Sequence, residues 1–198
     1  MSAEYDAKKQ KAILLFKRAS TLAKEGLDPL KARIALTYLS EALSYDPDFF
    51  EARLLLAQAY ETGAGKGIGG ALQRWIARRQ YRRVLRSMPE GNYPEKGEVY
   101  LALANNLLAS RRLRQAITPL RQAAAMGSAA TKLIAYTRLG EVFYRLGKKK
   151  EAVNAWKRGT EFEPPNVPHN VQTPSRWLAQ LESEGRKRPP RHGQRLRE

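Results

Sequence analysis

Residues 136–164 read YTRLGEVFYRLGKKKEAVNAWKRGTEFEP, and the rest of the chain is organised around this stretch. Tyr136, Leu139, Gly140 and Phe143 recur at three- and four-residue spacing, which puts them on one side of a helix. Gly147 ends that helix, because glycine takes the left-handed C′ conformation without steric cost. Beyond the basic run Lys148, Lys149 and Lys150, the residues Ala152, Trp156 and Gly159 form the stripe of a second helix. Pro164 then stands where no helix continues.

Two short amphipathic helices with a tight turn, small residues at Gly140 and Ala152, aromatics at Tyr136, Phe143 and Trp156, and a closing Pro164 resemble one tetratricopeptide repeat. The pattern recurs upstream. Ala104 and Ala116 are twelve apart, as are Gly140 and Ala152, and Tyr100, Leu103, Leu107, Leu120 and Ala123 flank them. Pro119 lies inside the second helix of that unit, where a kink or a late helix start is expected. Leu56, Ala57 and Tyr60 with Ala77, Tyr81, Val84 and Pro89 fit an earlier unit with a lengthened turn. Leu15, Ala19 and Leu22 with Ala35, Leu39, Ala42 and Pro47 fit the first. The resemblance implies an all-α, right-handed α-solenoid over residues 1–164, in four hairpins at about 4–47, 48–89, 95–127 and 129–164. Residues 165–184 read as an extended linker and a capping helix, with Trp177, Leu178 and Leu181 facing inwards. Residues 185–198, with six basic groups against Glu198, read as a disordered tail.

With 198 residues, 42% of them hydrophobic, the chain is long enough to bury a core between neighbouring repeats. It has no cysteine, which excludes disulfides and thiolate chemistry and fits a reducing compartment. The charged start MSAEYDAKKQ and the short apolar runs fit neither a signal peptide nor a membrane span, so a cytoplasmic protein is expected. The net charge of +17 is unevenly distributed: residues 1–63 hold nine basic and nine acidic groups, so the whole excess lies after Gly63. Such asymmetry points to an anionic partner for the later part.

Along the first units, Ile13, Leu14, Phe16 and Leu22 are expected to face the second helix, which Asp28 and Pro29 start by capping and by tolerating the first helical position. GAGKGIGG at 63–70 invites a phosphate-loop reading, but Lys66 is followed by Gly67 rather than Ser or Thr and no strand precedes it. It reads as an inter-helix loop. The helix at 71–88 carries Arg74, Arg78, Arg79, Arg82, Arg83 and Arg86 without one acid. Arg74, Arg78 and Arg82 line one stripe with Arg79, Arg83 and Arg86 beside it, while Trp75, Ile76, Tyr81, Val84 and Leu85 are expected to pack on neighbours. Either these arginines form a solvated outer face or, with Arg186, Lys187, Arg188 and Arg191 of the tail, they receive phosphate or carboxylate groups.

The two histidines, His169 and His192, have no cysteine or paired acid near them in sequence, so no metal set, cofactor site or catalytic triad is expected, and no enzyme activity. The resemblance instead implies a binding groove lined by the first helix of each hairpin. By position its residues are Leu54, Gln58 and Glu61, then Glu98, Leu101, Asn105 and Leu108, then Thr137, Glu141, Tyr144 and Arg145. Asn105 matches an asparagine with which many members of the family hold a peptide backbone. The basic carboxylate clamp of chaperone-binding members is not matched, since Leu101 and Thr137 stand in place of lysines. The implied function is a protein-interaction adaptor or assembly scaffold that takes a peptide or helix of another protein. The alternative is a nucleic-acid or ribonucleoprotein binder acting through the Arg-rich helix and tail; an acidic protein surface and an anionic membrane share that chemistry. An uncapped first helix would also permit self-association.

Overall fold

The computed structural model describes residues 2–65, 67–88, 94–168 and 171–186. Those residues form α1 (Ser2–Lys24), α2 (Pro29–Tyr45), α3 (Phe50–Thr62), α4 (Ile68–Ser87), α5 (Pro94–Ala109), α6 (Leu113–Met126), α7 (Ala129–Arg145), α8 (Lys149–Thr160) and α9 (Pro174–Arg186). Each helix packs against the next in sequence, and α5 also reaches α7, so the core runs between neighbours as in a solenoid. His169, His192 and the tail residues Lys187, Arg188 and Arg191 lie outside the described residues.

Local chemistry sets the helix ends. Asp28 Oδ1 accepts from the backbone N–H groups of Leu30 and Lys31, both at 2.8 Å, so α2 starts at Pro29 as its sequence requires. At the end of α7, Gly147 sits at φ 76°, with its N–H bonded to the Tyr144 carbonyl and the Lys148 N–H to the Phe143 carbonyl. The turn after α5 repeats this 36 residues earlier: Arg111 N–H bonds to Leu108 and Arg112 N–H to Leu107. There the left-handed position belongs to Arg111, at φ 57°, the one positive-φ residue besides glycine among the described residues.

Small residues do stand at the helix crossings. Ala104, Ala116 and Ala152 are completely buried. Gly140 meets a larger partner than its spacing suggests, because a Cβ there would fall on the Trp156 indole of α8. That indole N–H donates to the Thr137 carbonyl at 3.2 Å, so the ring is locked across α7.

Four expectations need correction. Ile13 and Leu14 are 40% and 52% exposed; the inward stripe of α1 is Ala12, Leu15 and Ala19, one step around the helix from them. Of the two outcomes expected at Pro119, the late helix start does not occur: α6 starts at Leu113, runs through Pro119 and buries it. The glycine-rich loop is shorter than read, since α4 begins at Ile68, after Gly67 at φ 90°. Trp75 leaves the core, being half exposed, while Ala77, Tyr81 and Val84 on the opposite side of α4 are buried.

At the C-terminal end α9 covers the last hairpin. Trp177 stacks on Trp156 at 5.1 Å between ring centres and 5° between planes, and Leu178 and Leu181 pack on the same core. The entry of α9 is fixed by the Ser175 N–H, which donates to Glu163 Oε1 at 2.7 Å. It is also fixed by Gly159, where an added Cβ would come within 2.6 Å of Pro174.

Candidate interaction site

The groove residues sit on the first helices of the hairpins, α3, α5 and α7, and the structure treats them unequally. Gln58, Glu98, Asn105 and Arg145 are exposed. Leu54, Leu101 and Leu108 are half-buried and lean on the core. Tyr144 belongs to the cap, with its ring 6.1 Å from Trp156 and 6.3 Å from Trp177.

Glu61 is engaged inside the protein. Its Oε2 accepts from the Tyr81 hydroxyl of α4 and its Oε1 from the Asn106 amide of α5, both at 2.7 Å. The same amide nitrogen donates to the Arg74 carbonyl at 3.1 Å. One carboxylate therefore ties together three helices, and burial pushes its pKa above the ordinary range, opposed by those two hydrogen bonds. Burial and the carboxylate push the Tyr81 hydroxyl upward as well.

Thr137 and Glu141 line an open cleft of about 500 Å³. One wall is α7, with Leu133, Ile134, Thr137, Arg138 and Glu141; the other is a strap made by residues 164–168 and 171–174, with Val167, Pro168 and Val171. Arg138 and Glu141 pair at 3.1 Å on its rim. The strap's described residues between α8 and α9, 164–168 and 171–173, form no helix or strand and are held by Arg176 of α9. The Arg176 guanidinium donates to the carbonyls of Pro168 at 2.8 Å, Val167 at 3.3 Å and Val171. Sequence reading missed Leu133, Ile134, Val171 and Arg176. The available signal was a proline-rich segment directly after the last hairpin, which must cross the open side of α7 to reach the cap.

The arginines of α4 divide differently from the two stripes expected. Arg79, Arg82, Arg83 and Arg86 are exposed, Arg74 is half-buried and Arg78 is 6% exposed. Trp75, Arg78, Arg79, Arg82, Arg83 and Arg86 surround a surface crevice of about 410 Å³, and none of the described residues that line it is acidic. Arg78 Nη1 has no hydrogen-bond partner among the described residues. Its pKa is lowered by burial first and then by Arg112, Arg82 and Arg74. Arg79 lies over the Trp75 ring at 5.9 Å. Among the described residues no group of three His, Cys, Asp or Glu is placed to hold a metal ion, and no helix is long and apolar enough to cross a membrane.

A right-handed succession of helical hairpins with small residues at the crossings and a terminal cap defines an α-solenoid repeat protein. Residues 22–66 and 101–167 match the model of the tetratricopeptide repeat, and the chain belongs to that family. No curated protein matches it in sequence. Solved structures share its fold. YrrB, a TPR protein with an unusual peptide-binding site, is 18% identical with a TM-score of 0.64 over 92% of this chain and 82% of that one. Pseudomonas aeruginosa PilF is 18% identical with a TM-score of 0.64 over 91% and 72%. MamA 41-end from Desulfovibrio magneticus RS-1 is 16% identical with a TM-score of 0.64 over 89% and 88%. At these identities the likeness is one of fold.

Proposed function

We propose that the chain is an interaction adaptor or scaffold that holds a short segment of a partner protein against α7. Tetratricopeptide repeats are in general non-enzymatic interaction modules, and the cleft supplies what such a segment needs. The carrying observation is the cleft between α7 and the strap. It offers Leu133, Ile134, Val167 and Val171 as apolar contacts, and Thr137, Arg138 and Glu141 as polar ones along one edge. The exposed Asn105 and Glu98 of α5 extend the same reading along the solenoid. The locked Trp156 and the Arg176 latch support it, since a wall held in place before binding lowers the ordering cost of association.

The test is a peptide-display selection on the full chain, followed by anisotropy measurements on the selected peptides. Ile134→Asp and Val171→Asp each place a charge in the cleft and should weaken binding at least tenfold, and Asn105→Ala more mildly. Arg83→Gln, on α4, should leave it unchanged. Selected peptides that bind the two cleft variants as tightly as the wild type would overturn the assignment.

A further inference from the structure

The outer face of α4 has a division that neither a peptide groove nor a solvated surface explains. At 100° per residue, Ile68, Leu72, Trp75, Arg79, Arg82, Arg83 and Arg86 fall within one arc of about 100°. Ala77, Tyr81 and Val84, the residues that anchor the helix in the core, lie on the opposite side. The arc is apolar in its N-terminal half, where Ile68 is 92%, Leu72 56% and Trp75 51% exposed. It is cationic in its C-terminal half, where none of the described residues lining the crevice around the exposed arginines is acidic. Along roughly 30 Å of helix this arc forms one exposed strip, the α4 ridge, with the crevice lying among its arginines.

We propose that this ridge is a docking surface for an anionic phospholipid membrane, lying in the interface with Ile68, Leu72 and Trp75 inserted and the arginines on lipid phosphates. A bilayer surface presents phosphate and hydrocarbon together at every point, so one straight ridge engages both. Guanidinium forks suit phosphate oxygens, and their stems lie along apolar surface while the charges stay at headgroup level. An indole half out of the protein matches the same depth. A nucleic-acid backbone would engage the arginines but leave Ile68 and Leu72 uncovered, and Trp75 alone is a poor stacking platform for successive bases. A partner protein would have to carry acids and an apolar patch in this order along the whole ridge. The polarity of the arc further implies a tilt, with Ile68 deeper than Arg86.

Co-sedimentation of the full chain with extruded vesicles tests this, using phosphatidylcholine alone and phosphatidylcholine with one quarter phosphatidylglycerol. Binding to the anionic vesicles should be at least tenfold tighter and should weaken with salt. The triple variant Ile68→Ser, Leu72→Ser, Trp75→Ser keeps the charge and the basic tail, and should lose at least tenfold in affinity for the anionic vesicles. Changing Arg79, Arg82, Arg83 and Arg86 to Gln should lose on the order of 1,000-fold. All seven positions are exposed, so unchanged thermal melts will show that the variants fold. Trp75 is the exposed one of three tryptophans, with Trp156 buried and Trp177 in the cap, so its emission should shift to the blue on binding and a Trp75→Phe chain should lose the shift. Failure of the wild type to sediment with anionic vesicles overturns the proposal. So does an apolar variant that binds them like the wild type, which would leave only a charged surface. Single-stranded RNA bound more tightly than the vesicles, through the arginines and without the apolar residues, would make the ridge a nucleic-acid face instead.

Discussion

Replacing Arg111 by glycine should stabilise the protein, although it removes a large side chain and adds no contact. Arg111 occupies the left-handed position after α5 that Gly147 occupies after α7, with the same two backbone hydrogen bonds closing each turn. The left-handed conformation costs a residue with a Cβ roughly 1–2 kcal/mol. Glycine removes that strain but gives back about 0.5–1 kcal/mol, because its unfolded chain has more conformations to lose. The Arg111 side chain is exposed, so little else changes, and the net gain is about 0.5–1 kcal/mol. For a chain of this size that is a rise of about 1–4 °C in Tm. Gly147→Ala is the matched control: an added Cβ there meets nothing within 4 Å, so any loss is conformational, about 1 kcal/mol. Both variants are read by circular dichroism on heating and in urea, with slopes compared because a solenoid can unfold in stages. If Arg111→Gly melts at or below the wild type, the strain argument is refuted.

The Glu61 network and the Arg176 latch give two further tests. Glu61→Ala should cost about 1–3 kcal/mol by leaving the Tyr81 hydroxyl without its acceptor and the Asn106 amide with only its bond to the Arg74 carbonyl, whereas glutamine keeps both bonds, with its amide donating to Tyr81. Because the folded pKa of Glu61 lies above its unfolded value, the fold favours the protonated form. Its ionisation therefore costs stability, a penalty absent below the unfolded pKa and complete above the folded one. In urea titrations, Glu61→Gln should thus gain on the wild type as pH rises from about 4 to 7, and a constant difference would refute the shift. Arg176→Gln should raise amide exchange in the strap at residues 171–173 and weaken cleft peptides several-fold. Faster exchange with unchanged affinity would show that the strap is no wall.

What the sequence made legible was decided by short-range spacing. Gly140, Ala152 and Trp156 define a crossing through residues at most sixteen apart, and Asp28 and Gly147 mark helix ends through their own backbone chemistry. Placement around a helix was less legible where several apolar residues run together. In AILLF, residues 12–16, two neighbouring stripes look equally good, and only the position of α2 selects Ala12 and Leu15 over Ile13 and Leu14. Glu61 was harder still. Its partners Tyr81 and Asn106 stand 20 and 45 residues away, and nothing local distinguishes a groove carboxylate from one that bridges three helices. The strap was invisible for a related reason: its wall exists only because Arg176, on the following helix, gathers carbonyls that have no partner in a helix or strand of their own.

The lengths of the hairpin helices bear on the α4 ridge independently of its chemistry. In the other three hairpins the first helix is the longer, at 23, 16 and 17 residues against 17, 14 and 12. In the second hairpin the order reverses, with 13 residues in α3 and 20 in α4. At about 1.5 Å per residue, α3 matches only some 20 Å of the 30 Å of α4. Stacking of repeats does not call for the surplus of roughly two turns. The buried apolar side chains of α4 are Ala77, Tyr81 and Val84, from its midpoint onward, whereas the first turns add Ile68, Leu72 and Trp75 to the outside. A helix lengthened only to bridge a gap would present polar residues there, since exposed apolar side chains add nothing to folding. The added turns carry apolar residues on the same arc as the arginines, and so lengthen one continuous surface rather than the core.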